Sequence, residues 1–400
     1  MNIVMLCTKF SLVQNDPWLT NELADALQAQ GHSVSVLNLD WAAKAGTARV
    51  NQVTPSGVRV ISVGPVQLRS RLPLLSRLVK WVGSSYRVVS LLRKQVKDAE
   101  LVIGFSPAVT MALPLLWLRY IYRVRSYMVL WDFFPYHQQQ IGLLPSGLIF
   151  RTARWIENLL IRCFDQVGCM SLANIAYLKS HYDLRTQQKV NVLPIWGKHI
   201  PLQSINRDEV RSAAGLPIDR SIVIFGGQLV HGRGLEDLLL AARLSAKSGG
   251  GVHFLIMGSG TLESLVQSYL EEGLGNLTWI ARVPRNDYLK VAQACDVALV
   301  CTVRNVDVPS FPSKTIDYLR LGLPIVASVE KSTDYGDFIV EQGVGVSVEA
   351  GQPAVLLACI EALLADSSRL ADMGRRGPQC MAAHFDVDRV AALLVVQSQR

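Results

Sequence analysis

A chain of 400 residues, half of them apolar and 18% charged, is too long for one hydrophobic core and too apolar for disorder, so two domains of about 200 residues each are expected. The net charge of +8 points to an anionic partner: nucleic acid, an anionic membrane surface or a phosphorylated metabolite. The seven cysteines lie apart from one another without CxxC or Cys/His ligand spacing, which predicts reduced core residues and no protein-bound metal or other cofactor.

Taken in order, NIVMLC (2–7) reads as a strand. DPWLTNELADALQAQGH follows as a helix with Asp16 as cap, Pro17 at its first position and Gly31 as stop, and SVSVLNL is the next strand. This is a βαβ unit. Alternation continues through ELVIGF, RSYMVLWDF and DQVGCMS, and restarts after residue 200 with SIVIFGG, GVHFLIMG, NLTWIAR, DVALVCT, PIVASV and GVGVSV. The fold class expected is α/β, with two Rossmann-like, doubly wound parallel-sheet domains facing a cleft. Pro194, Gly197 and Pro201 break the periodicity between them, giving domains at 1–196 and 197–385, with a last helix over 386–400 that packs back toward the first domain.

The basic charge is concentrated early. From Arg69 to Arg125 eleven Lys and Arg residues face only Asp98 and Glu100, interleaved with Leu, Val, Trp and Tyr. LPLLSRLVKWVGSSYRVVSLLRKQV (72–96) reads as one or two helices with an aliphatic and a basic face. That layout suits anionic lipid headgroups, and equally an ordinary helix with a solvated basic face. Nucleic acid is disfavoured because the cations alternate with aliphatic residues and no recognised binding motif is present. The uncharged run Leu101–Leu118 is broken by Gly104, Pro107 and Pro114, so it reads as strand, loop and helix rather than a membrane span. MNIVMLC enters a strand without a basic n-region or small-residue cleavage site, so the expected location is cytoplasmic, peripheral at the inner face of the plasma membrane.

No GxGxxG follows the first strand and no GxxxxGK[ST] occurs, which weakens dehydrogenase and P-loop readings. Two other glycine turns remain. IFGGQLVHGRGLEDLLLAARL (224–244) is a strand ending in Gly226–Gly227, a loop with His231 and Arg233, and a helix; FLIMGSGTLESL (254–265) carries Gly258 in a similar place. Glycines let backbone approach a ligand and an arginine beside a helix start holds diphosphate oxygens, though strand, Gly, helix recurs in any α/β domain. In FPSKTIDYLRLGLPIVAS (311–328), Ser313 is placed to cap a helix, Lys314 adds a cation beside its free N–H groups, and Asp317 projects from the same face. A diphosphate and a ribose diol fit that set; so does a plain exposed i,i+3 ion pair. Gly322 and Pro324 end the helix.

In their order and spacing, GRGLEDLLLAARL, MGSGTLESL, GLGNLTWIARVPRNDYLKVAQACDVALV and FPSKTIDYLRLGLPIVAS make the chain from Phe225 to Phe385 resemble the nucleotide-sugar half of glycosyltransferase family 4, retaining enzymes of the GT-B fold. The resemblance implies donor contacts at Gly227, Gln228, Arg233 and Gly258, base packing at Arg282, Val283 and Pro284, phosphate contacts at Ser313, Lys314 and Thr315, and a ribose contact at Asp317. Departures are Gln228 for an arginine, Asp317 for a glutamate and Pro309 for another glutamate, which leaves sugar contacts to backbone or to Asn305 and Asp307. More loosely, VLWDFFPYHQQQIGLLPSGLIFRTARWIENLLIRCFDQVGCMS (129–171) resembles bacterial surface-polysaccharide members, the fucosamine and colanic-acid transferases.

The resemblance implies metal-independent, retaining transfer of a sugar from a UDP- or GDP-sugar, UDP before GDP, to a lipid-linked or growing bacterial glycan. Arg233 and Lys314 would stabilise charge on the leaving diphosphate. Asp132 or His137, at the end of a first-domain strand, would position or deprotonate the acceptor, against the plainer role of a turn residue. Gln228 and Pro309 keep open a non-catalytic glycosyltransferase-like subunit that binds a partner.

Overall fold

The computed structural model describes residues 1–400 except 14–16, 42, 45–48, 67–82, 92–97, 201–203 and 400. The chain divides into two compact units, Met1–Lys198 with Val387–Arg400, and His199–Asp386.

The first unit is an eight-stranded sheet of β1 (Asn2–Cys7), β2 (Ser33–Leu39), β3 (Val50–Val53), β4 (Arg59–Val63), β5 (Leu101–Phe105), β6 (Arg125–Leu130), β7 (Gln166–Cys169) and β8 (Lys189–Val192), in the order β3-β4-β2-β1-β5-β6-β7-β8. All pairings are parallel except β3 with β4, so the expected parallel sheet carries one antiparallel edge strand. The central strand β5 is buried along its whole length and β1 from Ile3 onward, because helices cover both faces. These helices are α1 (Leu19–Ala29), α2 (83–91), α3 (Ala112–Trp117), α4 (Tyr136–Gln140), α5 (Leu148–Ile161) and α6 (Leu172–His181).

Helix α1 starts later than its sequence suggests. Its N-cap is Trp18, not Asp16, and Pro17 precedes it. The cause is Asn21, whose Oδ1 accepts the Trp18 and Ser11 N–H groups at 3.1 and 2.9 Å, so the third helical residue closes the helix start from within. Asp16 lies outside the described residues, as do most of the 72–96 basic stretch and Arg69, Arg71, Arg77, Lys80, Arg93, Lys94 and Lys97.

The second unit is a six-stranded, all-parallel sheet of β9 (Ser221–Gly226), β10 (Val252–Met257), β11 (Leu277–Ile280), β12 (Val297–Cys301), β13 (Ile325–Val329) and β14 (Gly345–Glu349), in the order β11-β10-β9-β12-β13-β14. Its helices are α7 (Arg207–Ala213), α8 (Leu235–Lys247), α9 (Glu263–Glu271), α10 (Arg285–Gln293), α11 (Lys314–Arg320), α12 (Tyr335–Glu341), α13 (Pro353–Ala365) and α14 (Ser367–His384).

The last helix, α15 (Val387–Gln399), belongs to the first unit. Val387, Val390, Ala391, Leu394 and Val395 recur at helical spacing and join the core formed by β1, β2 and α1. Polar contacts hold the same face: Gln30 donates to Asp388 O at 2.7 Å, Tyr127 donates to Gln397 Oε1 at 2.6 Å, and Gln397 donates to Val192 O at 3.0 Å.

Candidate active site

The order of the second sheet reverses at β9 and β12: the chain leaves β9 toward β10 and β11, then returns to the other side of β9 as β12. In open α/β sheets ligands bind outside the carboxyl ends of the strands at such a point. The loops there are 227–234 after β9, 258–262 after β10 and 302–313 after β12.

The first two loops are fastened together by backbone. Gly227 N–H donates to Met257 O at 2.9 Å, Leu229 N–H to Ser259 O at 3.1 Å and Leu262 N–H to Leu229 O at 2.9 Å. They approach closely enough that a Cβ on Gly258 would lie 1.8 Å from Gly227 O, and both glycines have φ near +150°. A side chain at Gly258 would collide with that carbonyl, and at Gly227 the backbone conformation strains any residue but glycine. On the other side Gly234, the N-cap of α8, abuts β12, where a Cβ would lie 2.4 Å from Thr302 O.

Lys314 reaches this glycine cradle: the Cβ position of Gly227 is 3.8 Å from Lys314 Cε. Its Nζ lies 4.4 Å from the centroid of the Tyr288 ring and 3.7 Å from Asp317 Oδ2. Burial pushes the Lys314 pKa below its ordinary value, with Arg285 adding to the shift and Asp317 opposing it. Asp317 also accepts from Arg285 at 2.7 Å and from Arg320 at 3.4 Å. Three cations thus surround one carboxylate, and the excess is positive.

Two sequence expectations, an exposed i,i+3 pair and a serine cap, are corrected here. Asp317 is not exposed: its side chain is 6% exposed and held by Arg285 and Arg320. Ser313 is exposed and makes no cap hydrogen bond, because its backbone is already helical (φ −66°, ψ −21°) and its side chain does not turn back over the helix start. Thr315 is fully buried and donates its hydroxyl to Tyr335 Oη at 2.7 Å, so its side chain faces the core.

Arg233, His231 and Gln228 are exposed on the loop after β9. Arg282 and Pro284 are exposed and Val283 half-buried on the loop after β11, which is tied to the loop after β10 by Arg282 N–H donating to Ser259 Oγ at 3.1 Å. Pro309 is buried, whereas Asn305, with φ +61°, and Asp307 are exposed. In the first unit Asp132 is exposed just beyond β6, where Ser106 Oγ accepts the N–H groups of Trp131 and Asp132 at 2.9 and 3.0 Å. His137 is half-buried on α4. No cluster of three His, Cys, Asp or Glu suited to a metal occurs among the described residues.

Residues 206–379 match the family model described as Glycosyl transferases group 1. WcaI of Escherichia coli (strain K12), named as a colanic acid biosynthesis glycosyl transferase, is 23% identical over 368 residues, 86% of this chain and 87% of that protein. Among solved structures, sucrose-phosphate synthase of Thermosynechococcus elongatus superposes with a TM-score of 0.75 at 19% identity, over 100% of this chain and 98% of that one. Anabaena HepE in complex with UDP gives 0.70 at 17% identity, over 99% of each chain.

The chain has the GT-B fold, and its second unit matches the glycosyl transferases group 1 model.

Three supporting residues escape sequence reasoning. Tyr318, buried on α11, accepts the Gly226 N–H at 2.9 Å. Arg285, at the start of α10, neutralises Asp317. Glu330, buried just after β13, accepts the Ser310 N–H at 2.8 Å and the Thr302 hydroxyl, and so braces both ends of the 302–313 loop. The signal for Glu330 is a carboxylate directly after the apolar run IVASV. Its partners, 20 and 28 positions earlier, have no local signal.

Proposed function

We propose that the protein is a glycosyltransferase that moves a sugar from a UDP-sugar, with retention and without a metal, to a lipid-linked or growing bacterial glycan. The observation that carries the donor half is the glycine cradle at the β9/β12 reversal with Lys314 against it and Arg233 exposed on the same loop. Two adjacent phosphates need backbone that comes close and cations that stay charged. The HepE structure with UDP bound supports a uridine nucleotide on this fold, and the naming of WcaI supports a bacterial glycan as product.

The chemistry follows from charge. The bond from the anomeric carbon to the diphosphate oxygen breaks, its electron pair passes to that oxygen, and Arg233 and Lys314 stabilise the anion with the amide end of α8. The acceptor hydroxyl attacks the same face of the oxocarbenium-like carbon and gives its proton to the departing phosphate. The hydroxyl needs only a hydrogen-bond acceptor to orient it, the role proposed for Asp132 or His137.

Calorimetric titration with UDP, GDP and their sugars on wild type, Arg233→Ala and Lys314→Ala tests the donor site. Binding of UDP that both substitutions weaken supports it, and absence of any nucleotide binding overturns it. Binding without turnover on any lipid-linked acceptor leaves the non-catalytic subunit instead.

A further inference from the structure

Helix α5 presents an apolar stripe to the outside. Leu148, Thr152, Trp155 and Leu159 follow one another at spacings of 4, 3 and 4 along α5, and Leu148, Trp155 and Leu159 are 80%, 66% and 38% exposed. Residues at that spacing share one face of a helix. Ile149 borders the stripe on one side, and the exposed Arg151 and Arg162 border it on the other.

The helix cannot roll to hide this face. On its opposite side Glu157 is buried, and its two carboxylate oxygens accept the N–H groups of Ala108 and Val109 at 2.7 and 2.8 Å, while Leu160 and Ile161 are fully packed. Turning the stripe inward would break both hydrogen bonds and leave the two N–H groups without acceptors. Glu157 is also the only acidic residue of α5, so the outward face carries arginine and no carboxylate of its own.

We infer that the outward face of α5 is a docking surface for an anionic lipid bilayer, with Leu148, Trp155 and Leu159 entering the interfacial region and Arg151 and Arg162 pairing with phosphate headgroups. Fourteen helical residues span about 21 Å, long enough to lie in a bilayer surface and too short to cross it. Tryptophan is at home at that depth, with its ring in the acyl boundary and its N–H among headgroups. A protein partner would bring carboxylates to the arginines at one edge only. A bilayer surface supplies negative charge along the whole helix, which matches arginines placed three turns apart at 151 and 162. The inference deepens the lipid-linked acceptor reading above and is independent of the nucleotide.

The test is flotation of the full chain with vesicles of phosphatidylglycerol and phosphatidylethanolamine, against phosphatidylcholine alone. Wild type is expected to float with the anionic vesicles, and the variant carrying Leu148→Ser, Trp155→Ser and Leu159→Ser to lose about tenfold or more of that binding. Arg151→Gln with Arg162→Gln weakens binding to anionic vesicles only. Melting temperature and UDP titration are measured on each variant and are expected to stay at the wild-type value, since the substituted side chains are exposed. Flotation of the serine variant equal to wild type, or no flotation of wild type, overturns the inference. So does a concentration-dependent dimer that the serine variant abolishes while vesicle binding persists. Loss of UDP binding in wild type with flotation intact fails the donor reading and leaves this one standing.

Discussion

The hydroxyl of Tyr318 accepts the amide N–H of Gly226 at 2.9 Å. A side chain of the helix that follows the 302–313 loop thereby holds the last residue of β9 at the point where the glycine turn begins. Both groups are buried, so the bond is expected to contribute to stability as well as to shape the turn. Tyr318→Phe leaves the Gly226 N–H without its partner at a cost of about 1–3 kcal/mol. Urea denaturation reads that loss, and UDP affinity is expected to fall with it. An unchanged midpoint and unchanged affinity would show that the turn holds itself.

Asp317 separates a structural from a ligand-binding role. Its carboxylate sits among Arg285, Arg320 and Lys314, with Arg320 only 3% exposed. Asp317→Ala leaves those cations uncompensated and is expected to destabilise the protein by about 3 kcal/mol. If the substitution instead left the melting temperature in place and removed only UDP binding, Asp317 would be a nucleotide contact after all.

Arg233 is the converse case, exposed and outside the packed network. Arg233→Ala should change stability by no more than about 0.5 kcal/mol and weaken UDP binding by about tenfold or more, the loss of one or two charge-assisted bonds to phosphate. Calorimetry and a thermal melt on the same sample check both halves.

Glu157 makes stability depend on pH. Burial pushes its carboxyl up to about 7, against the opposing pull of the Ala108 and Val109 N–H bonds. The folded state therefore holds the proton more tightly than the unfolded chain does. That contribution is complete below the ordinary value of 4.5 and is lost as pH rises through about 7. The fall across this window is of order 3 kcal/mol. Glu157→Gln should flatten that part of the profile, starting about 1 kcal/mol lower because one amide oxygen faces two N–H donors. Denaturant midpoints at half-unit pH steps check it, and an equal slope in the variant would place the titration on another group.

Glu330 is expected to act on binding through the loop it braces. Glu330→Ala removes the acceptor of Ser310 N–H and Thr302 hydroxyl and should lower stability by about 2 kcal/mol. UDP affinity should fall too, because Lys314 follows that loop. Affinity unchanged beside a lowered melting temperature would confine Glu330 to stability.

Much of the fold was legible in the sequence because buried parallel strands are short apolar runs closed by Gly, Pro or Ser. NIVMLC and DVALVCT each became central strands, β1 and β12. The strands that sequence reasoning missed are β3, β4 and β8. VNQV and KVNV are edge strands with partly exposed, polar residues, so they carry no apolar run to find. RVISV, between β3 and β2, is only five residues long.

The sequence by itself determined which residue types could meet phosphate: glycines after two strands, Arg233, and Lys314 with Asp317 at a helical spacing. Local spacing reaches three or four residues, however, and the partners that decide each role come from much farther away. Arg285, thirty-two positions before Asp317, makes that carboxylate part of a buried ion pair. Tyr335, twenty positions on, drew the Thr315 hydroxyl into the core. In α5 the sequence showed apolar and basic residues together without saying which face is outward. The backbone N–H groups of Ala108 and Val109, bound to Glu157 almost fifty residues later, decided that. Burying a carboxylate requires donors, and only the tertiary fold brings those donors to one side of the helix.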